Sequence, residues 1–230
     1  MCGRYSLTAK KEKIASRFNI KLTADLKPRY NVAPSQTMPV ITNTNPGELS
    51  FFRWGLIPNW ALDESSSMNM INARGETVLT RAPFKQIIRK QRCLILADGF
   101  YEWKKVGKNK EPYRITLASD EPFAFAGLWD SWDNGDDVIN TYTIITTTAN
   151  DLVRDIHERM PVILPPALER EWLKEDIKDK EIQDLLVPYD SSKMSYYKSH
   201  KIVNSVNCDT PECIQVAPKI YPGETYFLFE

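Results

Sequence analysis

Between residues 93 and 147 the chain carries five short runs rich in apolar, β-branched and aromatic residues: 93–97, 100–104, 113–117, 123–129 and 142–147. Runs of this length and composition predict strands, and so many of them in succession require a shared sheet. Earlier, 37–42 and 49–54 read as two more strands around the turn-like Asn43-Thr44-Asn45-Pro46-Gly47, and 161–164 returns to strand. Tyr226 to Leu228 can pair late onto a sheet edge. Helices are expected over 10–18 with Thr8 as N-cap, over 83–89 with Pro83 in its first turn, over 150–156, 167–174 and 180–186. Strands and helices interleave irregularly. The expected class is therefore α+β, a single domain over residues 2–230 with a curved, barrel-like mixed β-sheet flanked by helices.

The chain has 230 residues, 42% of them hydrophobic, which is enough for a proper core. Thirty basic residues balance thirty acidic ones. No broad field announces a nucleic-acid partner, so any such site must be a local patch. No apolar run reaches the length of a bilayer span, and the N-terminus lacks a signal-peptide core. Cys2, Cys93, Cys208 and Cys213 form no CxxC pair, and His157 and His200 are the only histidines. No metal site and no cofactor are expected. The thiols read as reduced, which points to a cytoplasmic setting.

Against that background the opening Met1-Cys2-Gly3-Arg4 stands out. Removal of Met1 would leave a thiol and a primary amine on one small skeleton, with ordinary pKa values of roughly 8.5 and 8. Nitrogen can attack a carbonyl to give a Schiff base, and sulfur can then close a five-membered thiazolidine. The same pair can serve a terminal-nucleophile hydrolase, with the amine as base to the thiol. Methionine is also trimmed routinely before small residues, and position alone does not separate these readings.

Further clusters follow in order: Pro28-Arg29-Tyr30-Asn31-Val32-Ala33-Pro34, a proline-bracketed loop; Arg53-Trp54-Gly55-Leu56-Ile57-Pro58-Asn59-Trp60; Met70-Ile71-Asn72-Ala73-Arg74-Gly75-Glu76; Asp98-Gly99-Phe100-Tyr101-Glu102-Trp103; and Ile156-His157-Glu158-Arg159-Met160-Pro161. Together with the N-terminus they resemble the SRAP family, the SOS response-associated peptidase-like proteins. The match runs from Cys2 to about Pro165, with a weaker echo at Val203-Asn204. The resemblance implies a DNA-damage-response protein that binds single-stranded DNA and captures abasic sites covalently through Cys2. It also implies a thiol autopeptidase that removes its own Met1, with no general protease activity. The expected partners are abasic single strands and junction DNA, with the protein a monomer, nucleoid-associated if bacterial.

Residue by residue, the resemblance makes Glu102 the acid–base carboxylate, His157 the proton shuttle and Asn72 the amide that positions amine or sugar. It makes Arg4, Arg74, Arg159 and Thr146 contacts to DNA, and Pro34, Trp54 and Trp60 residues that wedge or stack bases. The residues themselves suit those roles. Strand alternation turns Glu102 away from Tyr101 and Trp103, and a partly desolvated carboxyl has a raised pKa. Imidazole titrates near neutrality. Guanidinium forks fit phosphate, and indoles stack on bases. The bland alternatives remain open: Glu102 as an exposed strand residue beside Lys104, each arginine as a surface ion pair, Trp54 as core and His200 as structural. Arg81 with Lys85, Arg89, Lys90 and Arg92 forms the better basic patch for DNA. Lys104, Lys105, Lys108 and Lys110 surround an expected hairpin tip. The rival class is a terminal-nucleophile amidohydrolase, and a third reading is a non-covalent binder of single-stranded or modified DNA. An abasic single strand run on a denaturing gel separates them.

Overall fold

Residues 2–21 and 25–218 are described by the computed structural model. Its strands are β1 (Tyr5–Leu7), β2 (Arg29–Val32), β3 (Thr37–Thr42), β4 (Asn45–Trp54), β5 (Asn72–Arg74), β6 (Arg92–Ala97), β7 (Gly99–Val106), β8 (Asn109–Leu117), β9 (Phe123–Asp133), β10 (Val138–Thr148), β11 (Arg159–Pro161), β12 (Ile163–Leu164) and β13 (Met194–Lys198). The helices are α1 (Lys11–Phe18), α2 (Phe84–Ile87), α3 (Asp151–Arg154), α4 (Pro166–Trp172) and α5 (Asp179–Leu185).

Five strands close on themselves. β4 pairs with β3, β3 with β6, β6 with β9 and β9 with β10, all antiparallel. β10 then returns to β4 in parallel, with Thr141 opposite Arg53. The result is a closed mixed barrel, the architecture expected of the strand-rich sequence. β5 and β11 add onto β10, and β12 onto β9. A second, wholly antiparallel sheet runs β13-β8-β7-β1-β2. It packs on the barrel through aromatic edges, with Phe125 of β9 meeting Tyr5 at 5.8 Å and Phe100 at 6.1 Å between ring centres. β6 is buried along its whole length, as befits a strand covered on both faces. Each Phe-sized side chain so buried contributes roughly 1.5–3 kcal/mol.

Asp98, at the corner between β6 and β7, ties β1 into place. Its carboxylate accepts the backbone N–H groups of Thr8 and Ala9, the hydroxyls of Thr8 and Ser6, and the Arg114 guanidinium at 3.0 Å. A Cβ on Gly99 would lie 2.7 Å from that guanidinium, so only glycine admits it there. Thr8 is thus spent on Asp98. Helix α1 starts from Lys10 without a side-chain cap, which corrects the N-cap expectation.

Other expectations are also revised. The proline-bracketed segment contains a strand, β2, because Tyr5 finds Val32 as its partner. β4 begins at Asn45, so Pro46 and Gly47 belong to the strand and the turn is tighter than expected. β1, β5 and β13 were not legible as strands. The helix expected over 83–89 contracts to Phe84–Ile87. Asn150 does cap α3, accepting the Val153 N–H at 3.0 Å. Tyr226 to Leu228 lies outside the described residues. No described helix is long and apolar enough to cross a membrane.

Candidate active site

β1 and β7 run antiparallel with Tyr5 opposite Phe100, and the Tyr101 N–H donates to Arg4 O at 2.9 Å. That register carries residues 2–4 alongside 101–103. Cys2 is wholly buried, and its thiol donates weakly to Arg4 O at 3.8 Å. From the barrel side, β5 is held parallel to β10 with Asn72 opposite Ile144. Asn72 Nδ2 donates to Cys2 O at 2.9 Å, so the amide reaches the backbone of the candidate nucleophile directly.

Glu102 is 3% exposed, which excludes the reading of a solvated strand residue. Burial pushes its carboxyl up to about 7. Burial and the neighbouring Glu102 charge together push the Cys2 thiol far above its usual range. The sulfur is therefore protonated at neutral pH and needs a base to react. His157, just ahead of β11, is half-buried, and burial lowers its pKa. His157 Nδ1 lies 3.0 Å from the Arg159 N–H and 3.2 Å from the Arg159 carbonyl, so the backbone of Arg159 holds the ring on that side.

Glu102 and His157 line one cleft of about 540 Å³ together with Arg4, Trp103, Lys110 and Asn204. Asn72 and Arg74 line a second, of about 480 Å³. Cys2 thus touches residues of both clefts. The wall of the first is built by the conformation of the segment after β13. Asn31 Oδ1 accepts from Arg4 Nη1 at 2.7 Å, while its Nδ2 donates to the carbonyls of Val203, Ser205 and Cys208. Asp209 reaches back to the N–H groups of Tyr30 and Asn31 and to the Arg29 guanidinium. Arg4 lies over the Trp103 ring at 5.7 Å, and Trp103 Nε1 donates to Asn204 at 2.8 Å.

The structure thus brings Cys2, Asn72, Glu102, His157, Arg4 and Arg74 together, and separates the rest of the expected set. Trp54 is 1% exposed, stacked on Tyr142 and bonded through Nε1 to Ile71 O, so it is core and cannot stack a base. Thr146 is fully buried, and its hydroxyl donates to Ala73 O; it joins β5 to the barrel instead of meeting DNA. Arg159 spends its fork on Glu76, at 2.5 and 2.9 Å, and on Thr146 O. It braces the strand behind His157 and offers no fork to phosphate. Pro34 is half-buried and Trp60 58% exposed, and neither lines the two clefts. The favoured basic patch also loses two of its five members. Arg92 is buried, donating to the carbonyls of Ile88, Trp172 and Lys174, and Arg89 is paired with Asp179. His200 caps a short turn through Nδ1.

Sequence reasoning missed Trp103, Lys110, Asn204 and Asn31 as parts of the site. Lys110 sits near the expected hairpin tip, opposite Lys105. Asn204 had only the weak tail resemblance to mark it. Among the described residues no cluster of three or more His, Cys, Asp or Glu could hold a metal.

The SRAP family, described as SOS response associated peptidase, matches residues 1–206. The chain is similar to the abasic site processing protein YoqW of Bacillus subtilis (strain 168), at 44% identity over 94% of this chain and 99% of the relative. It is 33% identical to the abasic site processing protein HMCES of Gallus gallus, over 82% of this chain and 66% of that one. A crystal structure of a Bacteroides thetaiotaomicron protein superposes with a TM-score of 0.86 at 32% identity, covering 94% of this chain and 100% of that one.

Proposed function

The chain belongs to the SRAP family, and from that premise and the setting of Cys2 we propose that it processes abasic sites in DNA by trapping them covalently in single strands. The observation that carries this reading is the placement of Cys2 between Asn72, bonded to its carbonyl, and Glu102, buried and poised near neutral pH.

Removal of Met1 consumes one water and frees the Cys2 amine. The open-chain aldehyde of an abasic deoxyribose then condenses with that amine, and the carbinolamine loses water to give an imine. The thiol adds to the imine carbon, its proton passing through Glu102 to nitrogen, and a thiazolidine results. Ring closure removes the imine that would otherwise hydrolyse or drive β-elimination of the strand. A carboxyl near pH 7 suits both halves of that transfer, since it gives up and regains a proton at little cost. His157, which lines the same cleft as Glu102, hands a proton to the sugar ring oxygen during opening. Asn72 fixes the terminal residue without titrating. Glu102, next to the thiol, also supports self-removal of Met1.

Intact mass of the purified chain, alone and after incubation with an abasic single strand, tests the reading. The expected result is a chain starting at Cys2 and an adduct of protein plus oligonucleotide minus one water, stable to heat. A chain that retains Met1 and still reacts fully, or no adduct at all, would overturn it.

A further inference from the structure

Two of the four thiols, Cys208 and Cys213, lie in the segment after β13 that walls the first cleft, and the capture chemistry uses neither. Cys213 is wholly buried and Cys208 partly exposed, and both join one small apolar cluster with Tyr101, Trp103 and Val203. Each closes its own tight turn: the Cys208 N–H donates to Ser205 O at 3.2 Å and the Cys213 N–H to Thr210 O at 3.0 Å. The Cys213 thiol then donates weakly back to Cys208 O at 3.5 Å. The Cys208 sulfur sits only two bonds beyond the Cα of that same residue, so the turns bring the two sulfurs within reach of each other.

That carbonyl also supports the cleft. Cys208 O accepts Asn31 Nδ2 at 2.6 Å, and Asn31 in turn donates to Val203 O at 3.3 Å and accepts Arg4 Nη1 at 2.7 Å. Arg4 shares Val203 O at 2.8 Å and lies over Trp103, whose Nε1 donates to Asn204. Through one side chain, the Cys208 backbone thus reaches Arg4, Trp103 and Asn204, all of which line the cleft beside Glu102 and His157. Cys213 is fixed independently, its carbonyl accepting the Ser199 hydroxyl at 2.6 Å. If the two sulfurs bond, the buried and anchored Cys213 stays, and the partly exposed Cys208 is the one that moves. The S–H that Cys213 donates to Cys208 O is lost in the same event.

We propose that Cys208 and Cys213 form a reversible disulfide that reshapes the wall of the first cleft, with the dithiol as the form that captures DNA. This rests on the reading of that cleft as the place of capture. Cys208 is the accessible partner and reacts first. Its sulfur takes one sulfur of a small disulfide such as glutathione disulfide and releases one glutathione. Cys213, whose thiol burial pushes up, then attacks the Cys208 sulfur, and its proton leaves with the second glutathione. The two protein thiols lose two electrons and two protons in all, and the small disulfide becomes two thiols.

Reduced protein is incubated with glutathione disulfide, and intact mass, peptide mapping and crosslinking at limiting abasic strand are followed together. The expected result is a mass lower by two hydrogen atoms and a peptide linked between Cys208 and Cys213. Crosslinking should slow about fivefold, the worth of one hydrogen bond, and recover fully in dithiothreitol. Cys208→Ser keeps the same backbone carbonyl. It should react like reduced wild type and hold that rate in the oxidant. The proposal fails if no link between Cys208 and Cys213 forms, or if the linked protein crosslinks at the reduced rate. It fails equally if the oxidant slows Cys208→Ser as much as wild type, which would place the oxidation on Cys2. Reduced wild type that forms no adduct with an abasic strand overturns the proposed function instead.

Discussion

The two sheets bring different kinds of group to one place. The antiparallel sheet contributes Cys2, ahead of β1, and Glu102 on β7, both buried and both far from their usual titration ranges. The barrel contributes Asn72 and Arg74 on β5, an amide and an exposed fixed charge, and His157 just ahead of β11. Burial tunes reactivity, because it penalises whichever form is charged. Exposure keeps a guanidinium available, because water and not a carboxylate is its resting partner. On the proposed function, the antiparallel sheet does the bond-making and the barrel mainly holds the strand.

That division can be broken most decisively at Cys2. Cys2→Ala is expected to abolish the heat-stable adduct on a denaturing gel while non-covalent binding of single strands persists, because on the proposed function the strand is held by residues other than Cys2. Loss of both together would show that the two halves are not separable.

Glu102→Gln should slow crosslinking by roughly 10²-fold or more if the carboxyl moves protons. The wild-type rate at saturating DNA should rise through pH 7 as Glu102 ionises, and the variant should lose that rise. A rate profile shared by both would assign the pH dependence elsewhere.

The same burial has a stability signature of opposite sign. A carboxyl whose folded pKa is raised stabilises the fold fully below its unfolded value of roughly 4.5 and loses that contribution as pH climbs to about 7. Wild type should therefore melt lower at pH 8 than at pH 5 by more than Glu102→Gln does. Scanning calorimetry at the two pH values checks this, and parallel curves would remove Glu102 as the cause.

On the barrel side the contrast is between two arginines. Arg74→Ala should weaken binding about tenfold on any single strand and reduce the salt slope by about 0.7. Arg159→Ala should leave the slope unchanged and lower the melting temperature, since its charge is already matched by Glu76. Anisotropy titrations at several salt concentrations, with thermal melts, distinguish them. A slope change in Arg159→Ala would mean that its pair with Glu76 opens to DNA.

Some of this was readable without coordinates. The strand-like runs after residue 93 reappear as β6 to β10, each within a few residues of its expected ends, because alternating or wholly apolar β-branched stretches have few other ways to bury themselves. The aminothiol chemistry of Cys2 is local, since both reacting atoms belong to one residue. The ordered clusters placed Glu102, Asn72 and His157 together through resemblance, and their actual meeting depends on β1 pairing with β7 and β5 with β10.

What stayed illegible was decided by partners distant in sequence. β1 and β2 are too short to announce themselves and form because each finds the other and β1 also finds β7. The fate of every arginine turned on which acid or carbonyl the fold brought near: Arg92 to the carbonyls of Ile88, Trp172 and Lys174, Arg89 to Asp179, Arg159 to Glu76. Arg81, grouped by sequence with those neighbours, lines the same cleft as Arg74 instead. Trp54 and Trp60 read alike in the sequence and part company as core and surface. The residues determined which chemistry the chain can do, since thiol, amine, carboxyl and guanidinium are properties of single side chains. Only the tertiary structure decided which of them are free to do it, because burial and pairing are settled between segments far apart along the chain.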